Sequence, residues 1–290
     1  MLRAKAGRAL LVSLLAAGAF LDAGAAAADS PRRIVSMSPN MTEILYGIGA
    51  FNLLVGISDY CTYPPEVRNL PSVGGWINPS LEKLATLRPD LVIVDHGQAP
   101  FVADKFRQLG LRVLETTDLN IADMYGAMEA LGRATGHEAE ARNLEAATRQ
   151  SLAQVERKTS ASPRVRVVVI VDRTVGTLRN LVAATPGSFF AELVRIAGGE
   201  LVTPAAKEGY VNLSKEDLLV ENPGAILDFT HGQKSQLSGD PLQAWREMPE
   251  LQAVSARRVY EVDEDYVPHA SQRVVQTAEL FARLLHPEAK

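Results

Sequence analysis

From Arg33 onward, short apolar runs rich in β-branched residues alternate with longer stretches whose apolar positions recur at helical spacing. That alternation predicts strands followed by helices, the pattern of an α/β fold. Arg33 to Met37 reads as a strand, and Ser38 to Glu43 opens a helix ending at Gly47 or Gly49. Ser38 or Asn40 is the candidate N-cap, with Glu43 placed for a capping box if Asn40 serves. Leu53 to Ser58 is a second strand and runs into a loop, Asp59 to Pro65, whose prolines exclude a helix. Leu91 to Val94 is apolar throughout, as expected of a parallel strand covered on both faces. A helix from about Pro100 to Gly110, a strand from Arg112 to Leu114 and a helix from Ile121 to Thr135 complete this part.

Past Gly136 the pattern predicts an uninterrupted helix from His137 to Thr159, roughly 34 Å long at 1.5 Å per residue. Leu144, Ala147, Leu152 and Val155 form its expected apolar stripe, and Glu138/Arg142 and Glu145/Arg149 are i,i+4 pairs on the wetter side. Arg164 to Val171 then opens a second alternation. It continues with a hairpin or loop insertion at Leu178 to Ala184, a helix from Pro186 to Ala197 and a strand from Ala225 to Phe229. A Gly-containing loop from Ser235 to Asp240, a short helix from Pro241 to Met248, a strand from Arg258 to Val262 and a helix from Ser271 to Leu285 finish the chain.

The two alternations share a motif. Gly75-Trp76-Ile77-Asn78-Pro79-Ser80-Leu81-Glu82 recurs as Gly209-Tyr210-Val211-Asn212-Leu213-Ser214-Lys215-Glu216, at a constant spacing of 134 residues. Leu84, Pro89 and Ile93 answer to Leu218, Pro223 and Leu227 at the same spacing. His96-Gly97-Gln98 is answered by His231-Gly232-Gln233, one residue out of step. Two lobes built alike are expected, 29–136 and 160–290, joined by the helix 137–159.

Residues 1–28 stand outside this pattern. Arg3, Lys5 and Arg8 precede an apolar run from Ala9 to Leu21 and an Ala26-Ala27-Ala28 exit, as in a cleavable secretory signal peptide. The run is short for a membrane span of roughly 20 residues. No cysteine stands at the exit to take a lipid, so a free, exported protein cut near Ala28 is expected. Without the leader's charges the net charge moves from −4 to −6, which makes nucleic acid an unsuitable partner. The lone Cys61 excludes an internal disulfide and a multi-cysteine metal cluster.

Candidate chemistry concentrates beside the repeated motif. His96 and His231 follow strands at the carboxyl ends where open α/β sheets bind ligands, and imidazole is the commonest metal ligand. Asp95 and His269 are candidates to join them. Trp76 and Tyr210 precede equivalent helices and are expected to project from loops as aromatic walls for a large planar ligand, with Tyr60 and Tyr63 extending the wall. Ser80 and Ser214 are expected to start those helices. Glu82 and Glu216 fall in the first turns, where an acid favours the helix dipole and an exposed pair, one per lobe, suits docking onto basic residues of a partner. No G-x-S-x-G elbow, H-E-x-x-H, P-loop or dinucleotide fingerprint is present, and no base adjoins Ser36, Ser38 or Cys61. A binding protein is expected rather than an enzyme, with no catalytic residue; the rival is a metal-dependent hydrolase using His96, His231 and Asp95.

The succession Ile34-Val35-Ser36, Ser38-Pro39-Asn40 and Glu43, then Tyr60, Tyr63-Pro64-Pro65, Val73-Gly74-Gly75-Trp76, Asn78-Pro79-Ser80-Leu81-Glu82 and Leu87-Arg88-Pro89-Asp90-Leu91-Val92, resembles the periplasmic binding proteins of iron-chelate and cobalamin ABC importers. The resemblance covers essentially the whole mature chain. It implies two Rossmann-like α/β lobes joined by one long backbone helix, a monomer, and delivery of ligand to an inner-membrane permease with its ATPase subunits. The sequence is most similar to the cobalamin-binding branch. There the resemblance implies that Trp76 lies against a corrin, that the Tyr60 to Tyr63 loop lines the cleft, and that Glu82 and Glu216 meet arginines of the permease. The expected ligand-binding set is Ser38, Tyr60, Tyr63, Trp76, His96, Tyr210, His231 and His269, with His96 and His231 reaching the ligand's metal. His96, His231 and Pro268-His269 depart from the branch's pattern, so a cobalt corrinoid (cobalamin or cobinamide), haem and a ferric chelate all remain open as cargo.

Overall fold

In the first half, β1 (Ile34–Ser36), α1 (Pro39–Gly47), β2 (Leu54–Ile57), α2 (Leu81–Leu87), β3 (Leu91–Asp95), α3 (Ala99–Gln108), β4 (Val113–Thr116) and α4 (Ile121–Thr135) follow the expected order. The computed structural model describes residues 30–206, 209–229 and 240–288. The four strands form one parallel sheet in the order β2-β1-β3-β4. The chain leaves β1 toward β2 on one side and returns to β3 on the other, which opens a crevice at the carboxyl ends of β1 and β3.

Across α5 (Glu138–Thr159) the chain enters β5 (Val165–Asp172), β6 (Leu181–Ala184), α6 (Phe189–Ile196), β7 (Gly199–Leu201), β8 (Tyr210–Leu213), α7 (Lys215–Glu221), β9 (Ala225–Phe229), α8 (Gln252–Ser255), β10 (Val259–Val262) and α9 (Val274–Leu285). This second sheet runs β10-β9-β5-β6-β8, with β7 also beside β5. β5 is long enough to pair with β7 along Val165 to Val167 and with β6 from Ile170 to Asp172. β6 and β8 are antiparallel additions, so the stretch expected as an inserted hairpin or loop is part of the sheet. Pro241–Glu247 is a 3₁₀ helix, and the helix expected from Pro186 begins only at Phe189.

The repeat is physical as well as written. α2 and α7, β3 and β9 lie at the same spacing of residue numbers as the motif. Each helix is capped at its start by a serine, Ser80 accepting from Lys83 N and Ser214 from Asp217 N. Each ends on a left-handed residue, Arg88 at φ 46° and Asn222 at φ 38°. In contrast, α1 has Ser38 as N-cap with no side-chain bond, and no capping box forms there. Glu43 is drawn into the interior instead.

Alternate strand residues serve different layers, as the period of two requires. Leu91 and Ile93 of β3, and Ala225, Leu227 and Phe229 of β9, enter a cluster that also holds Met124 and Met128 of α4, Leu152 and Val155 of α5 and Phe281 of α9. Val92 and Val94 pack outward with Phe106 of α3, while Val168, Ile170 and Ile226 pack outward with Trp245. One core therefore runs beneath both sheets, and Pro31–Lys290 form one compact unit.

The buried stripe of α5 is Ala141, Thr148, Leu152, Val155 and Thr159, with Leu144 half-buried. Ala147 is exposed because Thr148 takes the inward position, its hydroxyl satisfied by donating to the Leu144 carbonyl at 2.8 Å. Arg149 bonds Glu145 at 2.8 Å and lies 3.7 Å over the Tyr125 ring. Among the described residues Glu138 and Arg142 form no ion pair.

Candidate functional site

A cleft of about 1050 Å³ opens at the carboxyl ends of β1, β3 and β4. The first half supplies Ser38, Trp76, His96 and Asp118 from its loops, Asn40 from the start of α1 and Asp95 from the end of β3. From the second half come Ser188 and Phe189 at the start of α6, Gly209 and Tyr210 at the start of β8, and Pro268 and His269. Tyr60, Phe101 and Leu119 complete an aromatic and apolar rim; Tyr60 is 58 % exposed.

Trp76 is held by three features. Its indole Nε1 donates to Asp95 Oδ2 at 3.2 Å, and its carbonyl accepts from Gln98 Nε2 at 2.8 Å. Its ring also lies against Gly97, where a Cβ would come within 3.2 Å of Cη2. The His96-Gly97-Gln98 triplet is thus a mount for the tryptophan as much as a turn. Asn78 of the motif folds back over Gly75, occupying the space of a Cβ there.

Tyr210 departs from the loop expected of it, for it opens β8 and pairs with Ala184 on β6. The antiparallel pairing of β8 with β6 extends the second sheet to this residue and makes it an edge-strand side chain. It is 42 % exposed, yet its phenol is pushed up to about 12 by burial of the hydroxyl end, with Asp118's charge adding to the shift. The two halves meet electrostatically across the cleft.

The polar wall is built around Asp118, just beyond β4. Its Oδ2 accepts from Asn40 Nδ2 at 2.7 Å, and Oδ1 lies 3.0 Å from His96 Nδ1. That nitrogen is inaccessible and the angle falls short of a hydrogen bond, so the contact is one of charge and proximity. Burial, followed by the charge of Asp95, raises Asp118 to about 6 despite the lowering effects of His96 and Asn40. Ser38 donates to Asn40 Oδ1, which fixes the amide that Asp118 uses.

His269 lines the cleft with Nδ1 committed to Glu43 Oε1 at 2.9 Å, which leaves Nε2 as the nitrogen a ligand would meet. Glu43 is 1 % exposed and also receives Ser271 Oγ and Arg273 Nη1, the latter at 3.0 Å. Arg273 in turn lies 4.2 Å over the Tyr63 ring. Tyr63 packs there and edge-on against Tyr46, away from the cleft lining, which corrects its expected place in the aromatic wall. Tyr60 thus lines the cleft while Tyr63 packs on Tyr46 of α1. His231 lies outside the described residues. Glu82 and Glu216 are both exposed in the first turns of α2 and α7.

Asn40, Asp118, Phe101 and Gln98 are site residues that pattern reading misses. Asp118 follows β4 as His96 follows β3, so strand-end position was the signal available for it. Asn40 reads as a cap and Gln98 as a turn residue, and nothing local marks either for the cleft. Among the described residues no group of three or more His, Cys, Asp or Glu is arranged to hold a metal ion.

With this geometry in view, comparisons with known proteins agree on one family. A family model described as periplasmic binding protein matches residues 34–266. The uncharacterized ABC transporter substrate-binding lipoprotein YvrC of Bacillus subtilis is 29 % identical over 264 residues, covering 89 % of this chain and 81 % of its own length. The vitamin B12-binding protein of Vibrio cholerae is 26 % identical over 248 residues, 85 % of this chain and 86 % of that one. Among solved structures, the periplasmic vitamin B12 binding protein BtuF of Vibrio cholerae aligns with a TM-score of 0.74 at 24 % identity, covering 89 % of this chain and 98 % of that chain. A periplasmic heme binding protein from Pseudomonas aeruginosa gives 0.78 at 23 %, with 90 % and 94 % covered. These two structural likenesses speak to the two-lobed fold.

Proposed function

This chain belongs to the periplasmic binding protein family, and we propose that it is the substrate-binding component of an ABC importer that carries a corrinoid, cobalamin or cobinamide, in its cleft. The observation that carries the reading is the pairing of Trp76, fixed flat against Gly97, with Tyr210 from the other half across a cleft of about 1050 Å³. A rigid indole on one wall and an edge tyrosine on the other suit a broad, flat ligand that buries most of its faces. Relatives named vitamin B12-binding proteins, matched over most of their length, support a corrinoid before other chelates. The activity is binding and delivery, with no catalytic step assigned to any residue.

Delivery goes to an inner-membrane permease with its ATPase subunits, and Glu82 and Glu216 are proposed as the docking carboxylates. Their exposure at the starts of matched helices supports that role. We place the mature protein in the periplasm as a monomer, without the lipid of the lipoprotein YvrC, since its single cysteine is the buried Cys61. Haem or a ferric chelate is the second reading, favoured by the imidazoles of His96 and His269 on the cleft lining. Coordination through His231 belongs to that reading.

Calorimetric titration with cobalamin, cobinamide, haem and ferric siderophores is the test. Corrinoids are expected to bind tightest, with Trp76→Ala weakening them and quenching of indole emission lost in that variant. Tighter binding of haem, with visible bands shifted by His269→Ala, would select the second reading. Binding of none would overturn the ligand class.

A further inference from the structure

The cleft's described lining is one-sided in charge. Asp95 and Asp118 both reach it, whereas no Lys or Arg does among the described residues. The two imidazoles that line it each already face a carboxylate, His96 that of Asp118 and His269 that of Glu43. Asp95 is spent on Trp76 Nε1 and the Gln98 backbone N–H. Asp118 is different: among the described residues Asn40 gives it one hydrogen bond, and its side chain keeps 23 % of its surface open toward the cleft. A carboxylate oxygen has lone pairs to spare beyond one amide donor.

A ligand group set against Asp118 therefore has to bring hydrogen. Amide N–H or a cationic group gains a charge-assisted bond, whereas an ionised carboxylate meets like charge in a poorly solvated place. We propose that Asp118, positioned by Asn40 and backed by Asp95, is a specificity-determining residue that admits macrocycles with amide-bearing peripheries and rejects those with carboxylates. The inference rests on the corrinoid reading and narrows it: the cargo is the amidated, uncharged or cationic form of the ring. It also explains why two acids stand in a cleft whose rim is aromatic and apolar and whose lining holds no Lys or Arg among the described residues.

The test uses the mature protein and two probes sharing one ring, cobinamide and the same corrinoid with its side-chain amides hydrolysed to carboxylic acids. Dissociation constants are measured near pH 8 for wild type, Asp118→Asn and, as a second variant with a smaller side chain, Asp118→Ser. Wild type is expected to prefer the amide form by roughly 10- to 100-fold. Both variants are expected to cut that ratio about tenfold, chiefly by tighter binding of the acid form. An unchanged ratio in folded variants that still bind cobinamide would overturn the role of Asp118 and leave the corrinoid reading intact. Wild type that binds neither probe would overturn the corrinoid reading itself, and the inference with it.

Discussion

Replacing Glu43 by alanine should unfasten the C-terminal segment from the first sheet's leading helix. Glu43 is 1 % exposed and its carboxylate collects His269 Nδ1 at 2.9 Å, Arg273 Nη1 at 3.0 Å and the Ser271 hydroxyl. Its backbone carbonyl accepts from Gln272 Nε2 at 2.7 Å, a contact the substitution leaves in place. Removing one partner of a buried ion pair costs about 3–5 kcal/mol, because the other charge stays behind uncompensated. Arg273 keeps Asp265 at 2.9 Å and its seat over Tyr63, which places the expected loss near the lower bound, about 3 kcal/mol. For a chain of this size that is a fall of roughly 6–12 °C in melting temperature. Glu43→Gln retains an acceptor for Arg273 and should lose about half as much. Urea unfolding of the ligand-free protein, followed by circular dichroism, reads both values. A loss below 1 kcal/mol for Glu43→Ala would refute the reasoning, since the network would then be no more than a surface pair in energy.

Gly132 sits where α4 turns against α5, and a Cβ there would lie 2.6 Å from Ala141 Cβ and 3.2 Å from the His137 carbonyl. Neither atom can swing aside, so Gly132→Ala should destabilise by about 1–3 kcal/mol in the same unfolding assay, against the usual helix gain for alanine. Asp118 holds its proton to about pH 6 when folded, against an ordinary value of 3.8. The folded state therefore binds the proton more tightly, and stability declines as pH rises from about 4 to 6. Asp118→Asn should escape that decline and exceed wild type by about 1–3 kcal/mol at pH 7, the upper figure being the whole shift converted and the lower allowing for Asp95 and His96 sharing the titration. A gap between the two proteins that does not change with pH would contradict this. Glu82→Ala with Glu216→Ala should reduce stimulation of the permease ATPase and leave ligand affinity within twofold; lost ligand affinity would place these residues in the cleft instead.

The parallel strands were legible because burial on both faces makes them nearly continuous apolar runs. Leu91 to Val94 is apolar throughout and Ala225 to Phe229 is broken only by the buried Asp228, which pairs with Arg173, and helices between such strands follow from chain connectivity. The pairing of β6 with β8 was not legible beyond an expected hairpin or loop insertion at Leu178 to Ala184. Leu181 to Ala184 and Tyr210 to Leu213 are short and stand on either side of α6 and β7, and their pairing depends on an edge that β5 offers only after folding. Glu43 and Asn40 mislead for a related reason. Local rules assign both to a helix start, but their partners, Arg273 and Asp118, are distant in sequence and invisible to any local pattern. The site was legible where chemistry coincides with position, as at Trp76 and His96 beyond strand or motif boundaries. Tyr63 shows the limit: of two tyrosines three residues apart one lines the cleft and the other packs under Arg273 and against Tyr46, partners that no local pattern points to.

The two copies of the motif conserve a helix start and diverge in what precedes it. In both, serine caps a helix that carries an exposed glutamate, and a left-handed residue ends it before a buried strand. Ahead of the serine, one copy bends through Gly74 at φ 106° and pins its aromatic against Gly97, while the other stays extended and lays its aromatic along an edge strand. The difference follows from the neighbours: the first sheet ends at β2 with no antiparallel addition, so its chain has to turn, whereas β6 offers the second copy a strand to pair with. The repeated segment thus places one aromatic against a turn glycine and the other on an edge strand, both on the lining of the cleft. The outward glutamates keep equivalent places on both helices, so what the copies share is the helix start with its exposed acid, and what they differ in is how the aromatic ahead of it meets the cleft.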